Sequence, residues 1–134
     1  MNFNSLSEIA SYIVSEGKGI LAADESNPTC TKRFDSIGVE STEDNRRDYR
    51  ELLFRSEGMK GNIGGVILFD ETIRQNAADG TSLVDVITSQ GSLPGIKVDK
   101  GLQQIGDSGE SLTQGLDGLH ERLKEYYELG AKFT

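Results

Sequence analysis

Two runs of the chain are apolar from end to end and stop on acids: Ile20-Leu21-Ala22-Ala23 leads into Asp24-Glu25, and Gly64-Gly65-Val66-Ile67-Leu68-Phe69 leads into Asp70-Glu71. A strand with one wet face alternates apolar and polar side chains. An unbroken apolar run of this length instead marks a strand covered on both faces, as in parallel sheets packed under helices. In alternating α/β folds the carboxyl ends of such strands carry the ligand sites, because the loops that follow them converge and helix N-termini point into the same space. Asp24 is a candidate site residue on that ground. The competing reading is that Asp24 or Glu25 caps the next helix, a side-chain oxygen accepting a backbone N–H.

Between these runs the periodicity is helical. Residues 5–15 set Leu6, Ile9, Ala10, Ile13 and Val14 at helical spacing ahead of a first strand at 19–23, with Gly17 as the stop. Residues 31–37 read as a short helix with Lys32 and Arg33 at its start and Gly38 after its end. Ser41 or Thr42 caps a longer charged helix with Tyr49, Leu52 and Leu53 as its apolar stripe. Its arginines, Arg46, Arg47, Arg50 and Arg55, are expected to be solvated or to pair with Glu43, Asp48 and Glu51, each pair worth about 0.3–0.5 kcal/mol. Turns are expected at 58–61 and 76–81, a helical segment at 83–87, a third strand at 94–101 and a loop at 106–109. Residues 114–129 form an amphipathic helix burying Leu116, Leu119, Leu123, Tyr126 and Tyr127, and residues 131–134 open a fourth strand.

The alternation predicts a parallel sheet whose right-handed crossovers curl it toward a closed barrel or lay it out as an open sheet. In an open flavodoxin-like sheet, Asp24 and Asp99 would cluster around a magnesium ion. On the third strand Lys97 and Asp99 share a face, because side chains two apart point the same way. An ammonium in an otherwise apolar strand is costly to bury unless it is paired or faces a wet, anionic pocket. An inward Lys97 is therefore functional, and an edge-strand Lys97 merely solvated.

A chain of 134 residues suffices for one ordinary domain. Its 14 basic and 22 acidic residues, with both signs mixed along the chain, argue against a nucleic-acid surface. One cysteine, Cys30, and one histidine, His120, give too few nitrogen and sulfur ligands for a zinc site and no orienting neighbours for a triad. No segment approaches the roughly 18 apolar residues of a membrane span, and the N-terminus lacks the pattern of a signal peptide, so a cytoplasmic protein with no membrane partner is expected.

Five blocks in order, 17–26 (GKGILAADES), 43–47 (EDNRR), 64–72 (GGVILFDET), 95–101 (GIKVDKG) and 113–119 (TQGLDGL), resemble the N-terminal part of class I fructose-bisphosphate aldolase. The resemblance implies a (β/α)8 TIM-barrel family fold, of which this α/β chain would hold about the first half: three complete strands and the start of a fourth. Residues 1–134 would be the N-terminal portion of one such domain, truncated at its C-terminus. It implies cleavage of fructose 1,6-bisphosphate to glyceraldehyde 3-phosphate and dihydroxyacetone phosphate through a lysine imine, with no metal or other cofactor. Asp24 and Lys97 resemble the family's catalytic aspartate and lysine, which would form a charged pair at the barrel mouth. Ser26, Lys32, Arg33 and Arg46 resemble residues that bind the sugar-phosphate substrate. The imine-forming lysine, on a sixth strand, has no counterpart here, so the isolated chain is expected to be inactive and the complete protein a homo-oligomer. The alternative is a non-catalytic half-barrel that binds sugar phosphates or associates through its open strand edges.

Overall fold

A computed structural model describes residues 3–134. Its centre is a parallel sheet of three strands, β1 (Gly19–Ala23), β2 (Ile63–Leu68) and β3 (Leu93–Ile96), in the order β1-β2-β3. Helix α1 (Leu6–Ile13) precedes β1, and α2 (Asn27–Asp35) and α3 (Glu43–Phe54) connect β1 to β2. A single-turn α4 (Asp70–Ile73) and α5 (Leu83–Ser89) connect β2 to β3. An antiparallel hairpin, β4 (Leu102–Gln104) and β5 (Ser111–Thr113), then leads to α6 (Leu119–Glu128). Beyond α6, the Lys132 N–H donates to the Pro94 carbonyl, the Ile96 N–H donates to the Phe133 carbonyl, and Phe133 bridges Gly95 in parallel.

With β2 in the middle, the flavodoxin-like arrangement is overturned, since that order puts the first strand between the second and third. The magnesium cluster of Asp24 and Asp99 goes with it, because β2 separates the strands that carry them.

The register decides which face each side chain takes. Leu21, Ala23, Val66, Leu68 and Ile96 share one face, where they pack with Phe54, Ile73, Leu83, Val86 and Ile87 from the helices into the core. Burial of these side chains, at about 25 cal/mol per Å² of apolar surface, is what holds helices to sheet. Ile20, Ala22, Gly65, Ile67 and Gly95 share the other face, which is more open: Ile20 is 47% exposed. Here the Phe133 ring lies so close to the sheet that a Cβ on Gly95 would come within 2.5–2.7 Å of its ring atoms. Only glycine admits it.

Three element bounds differ from expectation, and one hairpin was not foreseen. The first β–α helix begins at Asn27 rather than at residue 31, because Ser26 takes the extended N-cap conformation and Pro28 supplies a preset first-turn φ. The third strand ends at Ile96, not Gly101, since β2 stops at Leu68 and leaves nothing beyond to pair with. The loop expected at 106–109 is present as the turn of a hairpin whose two strands were not foreseen, being exposed on both faces and so without apolar alternation. The last helix begins at Leu119, because Gly115 and Gly118 have φ of +139° and +62°, outside any right-handed helix. Leu116 is consequently 84% exposed, and Tyr127 lies on the outer face of α6.

On α3 the buried stripe is also displaced by a residue: Leu52 points to solvent, while Arg50 and Phe54 are buried. Among the described residues no helix is long and apolar enough to cross a membrane.

Candidate active site

The register that aligns Ala23, Leu68 and Ile96 sets Asp24, Phe69 and Lys97 at one level on the open face, just past the strand ends. A cavity of about 640 Å³ opens there, with Ser26, Asp70, Lys97, Asp99, Arg122 and Tyr126 in its wall. The Lys97 Nζ forms an ion pair with Asp99 Oδ2, and the Gly101 N–H donates to Asp99 Oδ1 at 3.1 Å. The Lys97 ammonium, with the Gly101 N–H behind it, holds the Asp99 carboxyl below its ordinary range. Lys97 and Asp99 do meet, but through this ion pair in the segment after β3 rather than by strand alternation.

The expected pairing of Lys97 with Asp24 is not formed. Two neighbouring strand spacings put their backbones about 9–10 Å apart, with Phe69 between them, and Asp99 is nearer. Asp24 is partly buried, makes no hydrogen bond or ion pair among the described residues, and lies outside the cavity wall.

Ser26 lies in the wall, its Oγ 3.2 Å from Thr29 Oγ1. Lys32 and Arg33 are in the last turn of α2, which corrects the expectation that they stand at the start of this helix. Five residues at 1.5 Å each put Lys32 about 7.5 Å down the axis from Asn27. Arg33 turns sideways: its Nη1 is 2.7 Å from Glu25 Oε1 and donates to the Tyr49 hydroxyl at 2.8 Å.

Arg46 finds its partner across the sheet rather than on its own helix. Its Nε and Nη2 donate to the two carboxylate oxygens of Glu71, both at 2.7 Å, and Nη1 donates to the Ser41 carbonyl at 2.5 Å. Such a two-pronged pair fixes direction as well as distance, and so joins the N-terminus of α3 to the end of β2. The hydrogen bonds from Arg46 hold the Glu71 carboxyl below its ordinary value, against the opposing effect of burial.

A carboxyl that titrates lower folded than unfolded adds stability above its unfolded pKa and loses it as pH falls through the folded one. Denaturation midpoints are therefore expected to hold steady above about pH 5 and fall below it, with Glu71→Gln giving a shallower acid limb. Equal acid limbs for the two proteins, measured by urea unfolding from pH 3 to 7, would contradict this.

Sequence reasoning missed Arg50. It is 2% exposed; Nε donates to the Ala23 carbonyl at 3.0 Å, Nη2 to the Glu25 carbonyl at 2.8 Å, and Nη1 to Cys30 Sγ at 3.3 Å. Glu25 Oε2 is 3.2 Å from Nη2. One guanidinium thus holds the exit of β1, the turn that carries Asp24 and Glu25. Its position four residues after Arg46 and four before Phe54 was the available signal.

At the end of β2, the Tyr126 hydroxyl donates to Asp70 Oδ1 at 2.9 Å, and Arg74 joins Asp70 to Glu125. Burial alone would push the Asp70 carboxyl up, but the hydrogen bonds from Arg74 and Tyr126 bring it below its ordinary value.

Comparison with known proteins agrees with this geometry. A family model described as fructose-bisphosphate aldolase class-I matches residues 5–134. A probable fructose-bisphosphate aldolase class 1 of Xanthomonas axonopodis pv. citri is 53% identical over all of this chain and 40% of its own length. A cytosolic fructose-bisphosphate aldolase 6 of Arabidopsis thaliana is 58% identical over 93% of this chain and 35% of its own. The crystal structure of a Plasmodium falciparum fructose-bisphosphate aldolase, in complex with TRAP and a small-molecule inhibitor, superposes with a TM-score of 0.91 at 51% identity, over 94% of this chain and 37% of that one. The chain spans roughly two fifths of the length of the curated relatives it matches. With parallel strands in sequential order, acids at their carboxyl ends and a match along nearly its whole length, the chain belongs to the class I fructose-bisphosphate aldolase family.

Proposed function

We propose that residues 1–134 are the N-terminal portion of a single (β/α)8 domain that, when complete, reversibly cleaves fructose 1,6-bisphosphate to glyceraldehyde 3-phosphate and dihydroxyacetone phosphate. The observation that carries this reading is the level of Asp24, Phe69 and Lys97 at the carboxyl ends of three sequential parallel strands, where barrel enzymes keep their chemistry. The more open sheet face is then the barrel interior, with Phe133 as part of its filling.

In this mechanism a lysine outside residues 1–134 forms an imine with the ketose. The protonated imine accepts the electron pair of the breaking C3–C4 bond, so no metal is needed for that step. Lys97, steadied by Asp99, supplies fixed positive charge in the cavity. Asp24, without a protein partner among the described residues, would accept hydrogen bonds from substrate hydroxyls. Ser26 offers a hydroxyl and Lys32 a solvent-exposed cation to a phosphate; Arg33 and Arg46 would join them by exchanging Glu25 and Glu71 for it. Exposed Leu102, Leu112 and Leu116 offer apolar surface for a homo-oligomer, and the cytosolic plant relative supports a cytoplasmic location.

The test is a triose-phosphate release assay on the complete barrel and on residues 1–134 alone. Turnover by the first and none by the second is expected. A soluble, monomeric 134-residue chain with aldolase activity would contradict the proposal.

A further inference from the structure

Beyond the Lys97 N–H, which donates to the Leu68 carbonyl at 2.9 Å, the parallel sheet no longer holds the chain, yet the Lys97–Asp99 pair lies just past this point. Something else must fix residues 97–101. The base of the hairpin does so in part: the Lys100 N–H donates to the Gln114 carbonyl at 2.9 Å and the Gln114 N–H to the Gly101 carbonyl at 2.8 Å. Gly115 is pressed so closely against this segment that a Cβ on it would come within 2.8 Å of the Val98 oxygen and 3.0 Å of Asp99 Cα.

Arg122, on α6, closes the base. Its Nη1 donates to the Val98 carbonyl at 3.1 Å and its Nη2 to the Gly115 carbonyl at 2.5 Å, one on either side of the excursion. One turn further along the helix, Tyr126 holds Asp70, so the same face of α6 grips the ends of β2 and β3. A planar guanidinium spans two carbonyls in one geometry; the single ammonium of a lysine does not.

We propose that Arg122, although it lines the cavity, is a positioning residue for Lys97, acting through the Val98 main chain and the hairpin base, to whose carbonyls both of its Nη groups donate. The inference rests on the reading of Lys97 as part of the aldol-cleavage site. A misplacement of the order of 1 Å at a catalytic group can cost about 10²-fold in rate.

The test is made in the complete barrel with R122M, R122K, K97M and the double variant R122M/K97M, assayed for fructose 1,6-bisphosphate cleavage. Expected for R122M is a kcat lower by about 30- to 100-fold with KM changed by less than about threefold, and for R122K a partial recovery. In the double variant the R122M loss should largely vanish, because Lys97 is no longer there to be positioned. A purely structural role would multiply the two losses instead, and that outcome overturns the proposal. So does an R122M enzyme of wild-type kcat, or one in which KM alone rises, which would mean contact with substrate. Should R122M fail to fold, R122K carries the test, and wild-type kcat in R122K overturns the proposal. K97M with full turnover would overturn the aldolase reading of Lys97 itself, whereas inactive K97M beside fully active R122M overturns only the positioning role.

Discussion

Lys97→Met in the complete barrel should lower the turnover of fructose 1,6-bisphosphate by about 10²- to 10³-fold, the loss found when one preorganised charge is removed from a site where charge develops. Methionine keeps the length and apolar stem of the side chain and removes only the ammonium. Stability should hardly change, because the Lys97–Asp99 pair is about one third exposed on each side, and such pairs contribute about 0–1 kcal/mol. Steady-state kinetics and a thermal melt on the same preparation separate the two effects. Wild-type kcat in a folded K97M enzyme would remove Lys97 from the mechanism. A parallel fall in kcat and melting temperature would make the residue structural instead.

Arg50→Leu is expected to have the opposite signature. The substitution leaves the Ala23 and Glu25 carbonyls and the Glu25 carboxylate facing an apolar side chain in the interior. Breaking a buried pair by deleting one partner costs about 3–5 kcal/mol, and the low end applies here because Arg33 still reaches Glu25 Oε1. Against a total stability of about 5–15 kcal/mol for a domain, such a loss shows as poor soluble yield or a large drop in the urea midpoint. Leu52→Ala on the solvent side of the same helix should change stability by less than about 0.5 kcal/mol. Comparable losses for the two variants would mean that Arg50 is not the clamp on the β1 exit.

The residues that could be read from the chain are those whose burial leaves a chemical imprint. The strands stand where the apolar runs Val66 to Phe69 and Ile20 to Ala23 are, and β2 is covered along most of its length, whereas Ile20 and Ala22 of β1 are exposed on the open face. Lys97 was legible for the converse reason: a cation beside such a run demands an explanation. The hairpin was not, since residues 102–104 and 111–113 are exposed on every side and nothing selects their pattern. Arg50 was hidden because a buried guanidinium and a solvated one are the same letter; only the register of the helix distinguishes them. That register was ambiguous, with Leu52, Leu53 and Phe54 consecutive and only the last fully buried. Pro28 belongs to the first turn of a helix expected to begin only at residue 31, and that difference moves Lys32 and Arg33 from the head of α2 to its tail. Asp24 was correctly placed at a strand end, but the partner given to it was two strands away.

The most direct test of the account is to trap the imine. The complete protein is incubated with dihydroxyacetone phosphate, reduced with borohydride, digested and analysed by mass spectrometry for the modified lysine. The account predicts a single reduced adduct on a lysine outside residues 1–134, with Lys97 and Lys32 unmodified in active protein. An adduct on Lys97, or efficient cleavage with no trappable lysine at all, would contradict the division of labour proposed here, in which this part of the barrel supplies Asp24 and a fixed Lys97 charge and the remainder supplies the nucleophile.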